Sequence, residues 1–315
     1  MINKRDEITY ALLVPCFNAT LYIAAFLDNI SKLSMKFDEI LFYDDASTDG
    51  TYEILKSKNC NVIKGKTNKG AGYARNELAK NCTSDWMHFH DIDDLLDSNY
   101  LKKKSEVILK NRDLDIVLCN VDWLDEKGND LVLKWDYSNE GINKSPISYT
   151  ISNPIGGING LYKRNKFIES GGFDCNLRIW EDADIHVKLA IQKAKFHVIE
   201  ETLCYAIRYS DSASSNQQIG WKNRLEFLIR YSKEKLDTLA ITAIGQQAQK
   251  TVGYFIIFKD YVSAKKAMKL SEYCGVKVPD HANARIWIII KKAFPSFIRI
   301  HLRLLFLKFV FRNTQ

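Results

Sequence analysis

The 315-residue sequence has no Cys-x-x-Cys pair. Its seven cysteines stand at 16, 60, 82, 119, 175, 204 and 274, odd in number and without pattern. That excludes a disulfide framework and a zinc ribbon, and it fits a reducing cytosol. Residues 1–7 are polar and run straight into an apolar, strand-like segment, so no secretory leader is expected. No internal repeat or low-complexity tract stands out. Acidic residues are absent from His281 to Gln315, where Arg285, Lys291, Lys292, Arg299, Arg303, Lys308 and Arg312 stand. Those seven account for the whole net charge of +7, so the 38 basic residues of positions 1–280 balance 38 acidic ones. A neutral body with one basic tail argues against a protein that grips nucleic acid over its surface. The remaining composition is ordinary for a globular chain, with 46% hydrophobic and 26% charged residues. The length allows one large domain, or a main domain with an appendage.

The first 120 residues alternate short apolar runs with helix-like segments. Residues 8–15, 39–43, 61–66, 86–90 and 115–120 predict strands, and 21–33, 51–58, 71–80 and 99–109 predict helices. Asp49 or Thr48 precedes the second helix and Ser98 the fourth, as caps. This alternation predicts an α/β fold with a mostly parallel, Rossmann-like sheet and flanking helices. Residues 122–154 are polar and read as a hairpin or irregular insertion. A Gly-rich stretch (Gly156, Gly157, Gly160, Gly171, Gly172) leads to a helix over 182–193, residues 195–209 predict two more strands, and the chain beyond Gln217 reads as helical.

In open parallel sheets, ligands bind beyond the carboxyl ends of the strands. There the sequence places Pro15-Cys16-Phe17-Asn18, then Asp44-Asp45-Ala46-Ser47-Thr48-Asp49-Gly50, then Asn68-Lys69-Gly70 with Arg75-Asn76 on the next helix, and then Asp91-Ile92-Asp93-Asp94. Carboxylates crowded on one edge repel one another without a cation. Hard divalent metals are held by one or two carboxylates plus substrate phosphates, so a metal-bridged diphosphate fits. Taken singly, the Asp-Asp-x-Ser-x-Asp-Gly run is equally compatible with a turn and helix cap, and Asp91-x-Asp93-Asp94 with a solvated loop. The latter is not an EF-hand, since Leu95 and Leu96 stand where a third ligand and the turn glycine belong. Gly70-x-Gly72-x-x-Arg75 follows the third strand and lacks a third glycine, and the first strand–helix turn has no glycine, so a dinucleotide fingerprint is not supported. Three clusters at three successive strand ends favour the metal–diphosphate reading.

Val14-Pro15-Cys16-Phe17-Asn18, Tyr43 through Thr51, Asn68-Lys69-Gly70 with Ala74-Arg75-Asn76, His90 through Asp94, Gly171-Gly172-Phe173-Asp174 and Trp180-Glu181-Asp182 follow one another in a familiar order. Over roughly residues 8–210 the sequence resembles the inverting family 2 glycosyltransferases of the GT-A fold. The resemblance implies a nucleotide-sugar site in which Pro15, Phe17 and Asn18 border the nucleotide and Asp45 hydrogen-bonds the base with Asp44 beside it. It implies that Asn68 and Gly70 line the donor site, that Arg75 contacts the nucleotide or its diphosphate, and that Asp91 with Ile92 faces the ribose or metal. Asp93 would ligate Mn²⁺ or Mg²⁺, Asp182 would be the general base, and Glu181 would orient the acceptor. The implied reaction moves a sugar, with inversion, from a nucleoside-diphosphate donor (UDP is the family's commonest) to a hydroxyl of a glycan or lipid-linked acceptor in surface polysaccharide or glycolipid synthesis. Without the resemblance, Asp182 is a first-turn acid favoured by the helix dipole.

Two other functions are weighed against this one. A sugar-nucleotide nucleotidyltransferase needs a Gly-rich, Arg-containing loop after the first strand, and residues 15–20 are nothing like one. A non-catalytic nucleotide- or glycan-binding descendant is opposed by the retention of Asp45, Asp91, Asp93 and Asp182. One departure from the family pattern is the absence of a late Arg-x-His element: residues 208–214 hold no His, leaving Ser210, Asp211 or Tyr209 to substitute or the metal to be held more loosely. His88 and His90 read as packing residues. The tail over 285–312 has apolar runs of about four residues, far short of the ~20 that span a bilayer. It reads as an interfacial segment on an anionic membrane, or else as helices packing on protein. The expected organisation is a catalytic domain over 1–215, with nucleotide-sugar binding in 1–120 and acceptor binding in 121–215. A helical extension over 216–280 and a basic amphipathic tail over 281–315 complete it. The expected location is the cytoplasm, at the inner face of the cytoplasmic membrane.

Overall fold

The computed structural model describes residues 7–177, 179–209, 217–280 and 284–312. The chain divides into two compact units, Met1–Pro146 with Pro154–Ser212, and Ile147–Asn153 with Ala213–Gln315.

In the first unit, β1 (Tyr10–Cys16), β2 (Glu39–Asp44), β3 (Val62–Lys64) and β4 (Trp86–Phe89) run parallel in the order β3-β2-β1-β4. They are joined through α1 (Ile23–Ser31), α2 (Thr51–Ser57) and α3 (Ala71–Asn81). Residues Tyr10 to Val14 are buried without alternation, which is why the first apolar run is continuous. The chain continues through β5 (Leu95–Leu96), α4 (Tyr100–Lys110), β6 (Ile116–Leu124), β7 (Leu131–Trp135) and α5 (Asn139–Lys144), then α6 (Pro146–Ser152), which apart from Pro146 belongs to the second unit, and again in the first unit β8 (Gly160–Lys163), α7 (Arg164–Glu169), α8 (Glu181–Ile191) and β9 (Phe196–Ile207). The full sheet runs β3-β2-β1-β4-β8-β6-β9-β5, with β7 hairpinned onto β6.

The fold is α/β with flanking helices and a sheet of mixed direction. β8 is antiparallel to both β4 and β6, β5 is antiparallel to β9, and β6 and β9 are parallel. The strand–helix alternation that predicts parallel pairing runs on to β6, which keeps the direction of β4, and β8, from beyond the change of pattern after residue 120, inserts antiparallel between them. Residues 195–209 form one strand rather than two. The polar Glu200-Glu201 pair lies in an irregularity where Cys119 faces Ile199, Asn120 faces Thr202 and Val121 faces Cys204. Helix starts also differ from expectation. Gly50 precedes α2 in the left-handed conformation (φ 92°) and Asn99 precedes α4, neither with a side-chain cap. Asp49 accepts instead from the amide and hydroxyl of Thr51, at 3.0 and 2.6 Å.

The second unit is helical: α9 (Gln217–Tyr231), α10 (Thr238–Ile257), α11 (Tyr261–Tyr273), α12 (Arg285–Ala293) and α13 (Ser296–Arg312). Asp237 and Asp260 cap α10 and α11 by accepting from the amides of Ala240 (2.8 Å) and Ser263 (3.0 Å). Ile300, Leu304 and Leu307 turn α13 inward. Four tail cations turn inward as well. Arg299 pairs with Glu272, Arg303 lies over Trp287 and Phe306, Lys308 lies over Tyr261, and Lys291 donates to the Asp280 carbonyl at 3.0 Å. Among the described residues, no helix is long and apolar enough to cross a membrane.

Candidate active site

The carboxyl ends of β1, β2 and β4 carry the acidic and amide clusters, and their loops are knitted to one another. Asn18, itself left-handed (φ 50°), donates its amide to the Ser47 hydroxyl at 2.9 Å and accepts from the Thr48 amide at 2.9 Å. Ala19 and Thr20 donate to Thr51 and Asp49 at 2.7 and 3.1 Å. Burial alone would raise the Asp49 carboxyl, but hydrogen bonds from Thr51 and Thr20 hold it below its ordinary range. Pro15 is half-buried at the end of β1, Phe17 is exposed, and Asn68 is exposed ahead of α3.

Asp45 is buried, and its carboxylate accepts from the amides of Lys69 (3.0 Å) and Gly70 (2.7 Å). It thereby fixes the start of α3, where Gly70 has φ 89°, a conformation that strains a residue with Cβ. Asp44 is fully buried in register with Cys16, and neither carboxylate oxygen has a hydrogen-bond partner among the described residues. The family resemblance sends both acids toward the base; the structure puts Asp45 on backbone amides and Asp44 inside.

One turn into α3 stands Arg75, only 5% exposed, and it gathers three carboxylates from distant segments. Its Nη2 meets Asp91 at 2.7 Å, while Nη1 meets Glu181 at 3.1 Å and Asp182 at 3.2 Å. Burial opposes its charge, but Asp91, Asp182 and Glu181 outweigh that and raise its pKa well above the ordinary value. The reading that sends Arg75 to the donor diphosphate does not anticipate this hub, because nothing local links position 75 to 181 and 182.

Electrostatics around the hub are uneven. Burial and then the charge of Asp182 push Glu181 up to about 7, against the pull of Arg75. Burial also raises Asp182, opposed by Arg75. Burial and Asp91 push Asp93 up to about 6. Ile92 is buried between these two acids in the chain. Asp94, which the motif alone cannot distinguish from its neighbours, is buried and accepts from the Ile207 amide at 2.9 Å, anchoring the end of β9. His88 and His90 are buried and 3.2 Å apart, and His88 bonds the Gly160 carbonyl and Tyr100 at 2.8 Å. Burial lowers both, so they pack as neutral rings.

Three features position Glu181 and Asp182, and the motifs that contain Asn76 and Trp180 do not by themselves disclose this use. Asn76 donates to the Phe173 carbonyl (2.8 Å) and accepts from the Phe173 amide (2.9 Å), clamping the Gly171-Gly172 turn to α3. Trp180 precedes α8 with φ 77°, a left-handed conformation that costs a bulky residue about 1–3 kcal/mol. Gly157 approaches so closely that a Cβ there would lie 2.9 Å from Asp182 Oδ1. Behind Asp182, His186 bonds its carbonyl at 2.6 Å and Tyr162 at 2.9 Å. Tyr209 packs against Tyr22, with ring centroids 5.6 Å apart. Burial, Tyr22 and then Asp93 and Asp94 push its phenol up to about 12. The alternatives Ser210 and Asp211 lie outside the described residues.

Glycosyl transferase family 2 matches residues 11–169, just over half of the chain. The chain belongs to glycosyl transferase family 2. An uncharacterized glycosyltransferase of Haemophilus influenzae is 27% identical over 213 residues, covering 65% of this chain and 70% of that protein. The minor teichoic acid biosynthesis protein GgaA of Bacillus subtilis is 23% identical over 231 residues, 69% of this chain and 51% of that protein. Among solved structures, S. aureus TarS 1-349 in complex with UDP-GlcNAc shares the fold, with a TM-score of 0.69 at 18% identity over 98% of this chain and 93% of that one. The family match ends between the acids gathered by Arg75: Asp91 lies inside it, while Glu181 and Asp182 lie beyond its end.

Proposed function

We propose that this family 2 glycosyltransferase moves a sugar with inversion from a nucleoside-diphosphate donor, UDP-linked, to a hydroxyl of a surface glycan or lipid-linked acceptor. The convergence of Asp91 with Glu181 and Asp182 on Arg75 carries the reading, because it brings a donor-side acid and two acceptor-side acids around one point. TarS in complex with UDP-GlcNAc supports the choice of nucleotide, and GgaA, a teichoic acid biosynthesis protein, supports a cell-surface glycan as acceptor.

Asp182 takes the proton of the attacking acceptor hydroxyl, and Arg75 and Gly157 hold its carboxylate in place. Glu181 orients the acceptor. Pro15, Phe17, Asn18, Asn68 and Gly70 border the nucleotide, with Asp45 holding the loop that ends at Gly70. Residues 1–120 then bind the donor and 121–215 the acceptor.

Among the described residues no group of three or more His, Cys, Asp or Glu is arranged to hold a metal. Asp91 and Asp93 nonetheless crowd one another, with Asp93 raised to about 6 and paired with no cation among the described residues. Such a pair fits Mn²⁺ or Mg²⁺ completing its shell with donor phosphate oxygens. When bound, the ion offsets negative charge growing on the departing diphosphate.

The deciding measurement is nucleotide release over a panel of nucleotide sugars, with and without chelator. Chelator abolishes turnover, and Asp93→Asn lowers kcat/KM roughly 100-fold. Turnover that persists in chelator removes the ion from the reaction. Gly157→Ala is expected to lower kcat roughly 10- to 100-fold with unchanged melting, because its Cβ displaces the Asp182 carboxylate. Unchanged kcat in that variant would detach Asp182 from the chemistry. The enzyme works at the inner face of the cytoplasmic membrane, with residues 285–312 in peripheral contact with anionic lipid; the exposed Ile286, Ile289, Phe297 and Phe309 and the acid-free tail support this.

A further inference from the structure

With Arg299, Arg303, Lys308 and Lys291 drawn inward, charge for a lipid surface must come partly from elsewhere in the helical unit. α11 supplies it. Lys265 and Lys269, four residues apart, share an exposed face with Val262 (81% exposed) and Tyr273 (72%). Neither lysine has an acidic partner among the described residues. The neighbouring acids are committed, Glu272 to Arg299, Asp260 to Lys222 and Glu226 to Lys266.

Between these lysines and the start of α13 lies a cavity of about 460 Å³, lined by Lys265, Lys269, Phe297, Ile298, His301 and Leu302. Its walls are apolar while its charged groups are all cationic or imidazole, and the α13 side of it belongs to a stretch without any carboxylate side chain. Phe297, 71% exposed at its edge, continues into the exposed apolar residues of α12 and α13. A wholly apolar partner would leave two lysines desolvated and unpaired, and a free anion would leave the apolar wall in water. An amphiphile with one phosphate satisfies both.

We infer that this cleft is a headgroup slot for an anionic membrane phospholipid, with Lys265 and Lys269 on the phosphate and Phe297, Ile298 and Leu302 against the upper part of the acyl chains. The inference rests on the proposed membrane contact and narrows it to one site. It also explains why the basic residues of α11, outside the tail, belong to the same surface.

The full-length protein is tested on phosphatidylcholine vesicles with and without phosphatidylglycerol, and separately by calorimetry with dihexanoyl phosphatidylglycerol below its micelle concentration. One soluble lipid per chain is expected. Lys265→Gln with Lys269→Gln weakens that binding roughly 30-fold, and Phe297→Ser roughly tenfold. Arg285→Gln with Lys292→Gln, which removes the same charge from exposed positions outside the slot, leaves soluble-lipid binding unchanged. All of these are surface changes, and unchanged melting verifies the fold. Vesicle binding without soluble-lipid binding, or equal losses in the two double variants, would overturn the slot while leaving a diffuse membrane contact standing. Absence of vesicle binding would remove both. Equal competition by glycerol phosphate would assign the site to a free phosphate instead, and a dimer that dissociates in Phe297→Ser would assign the surface to a second copy.

Discussion

Asp182→Asn is expected to lower sugar transfer about 1000-fold while UDP still binds, measured as nucleotide release beside calorimetric titration. The amide keeps the size of the side chain and can still meet Arg75, but it cannot accept the acceptor's proton. If Asp182 were only a first-turn acid on the α8 dipole, the variant would keep its turnover and lose at most about 1 kcal/mol of stability. The pH profile gives a second handle. Glu181 is raised to about 7 and Asp182 is raised beside it, so the two titrate as a pair. A base works ionised, so kcat/KM should climb as pH rises through about 7, well above the usual carboxylate range near 4. Glu181→Gln removes a like charge from Asp182 and should move that limb to lower pH. A limb that stays fixed would mean another group controls it.

The parallel half of the sheet is legible in the sequence because β1, β4 and most of β2 are buried without alternation and helices follow at short intervals, so apolar runs fall in register with the elements, whereas the caps read at Thr48, Asp49 and Ser98 do not. The segments after β4 are less so. The antiparallel placement of β8 between β4 and β6 depends on pairing across distant positions, such as His88 with Leu161, and β9 carries a register irregularity at Glu200-Glu201. The site shows the same division. Clusters at strand ends announce themselves through position, but the use of each acid does not. In the Asp91-x-Asp93-Asp94 run, one carboxylate meets Arg75, one is left crowded, and one anchors the β9 backbone. The Asp44-Asp45 pair likewise splits into an interior acid and a loop clamp. These assignments are tertiary, set by which amide or guanidinium arrives from another segment. The tail gives the clearest case, since an ideal helical wheel assigns its cations to faces, while Glu272, Tyr261 and Trp287 decide which of them turn inward.

Arg75→Met should have the largest combined effect. Removing one partner of a buried ion cluster leaves the others unpaired, at about 3–5 kcal/mol. Glu181 is 12% exposed and Asp182 30%, but Asp91 at 42% keeps some of its hydration, which places the loss near the lower end, about 3 kcal/mol or roughly 6–12 °C in Tm. The direction with pH is fixed by the carboxylates, since Arg stays charged throughout. Without the guanidinium, the folded pKa values of Glu181 and Asp182 rise further above the unfolded values near 4. Raised acids stabilise the fold only while protonated, so the deficit should be small near pH 4 and grow as pH climbs through about 7. Turnover should fall with stability, yet not in proportion. Even at low temperature, where the variant is folded, Asp182 loses the contact that aims it and Asp91 is free to move. Thermal melts of both proteins across that pH range decide the matter. A gap in Tm that shrinks with rising pH, or a variant as stable and as active as the parent at every pH, would mean that the three carboxylates do not depend on Arg75 for their company.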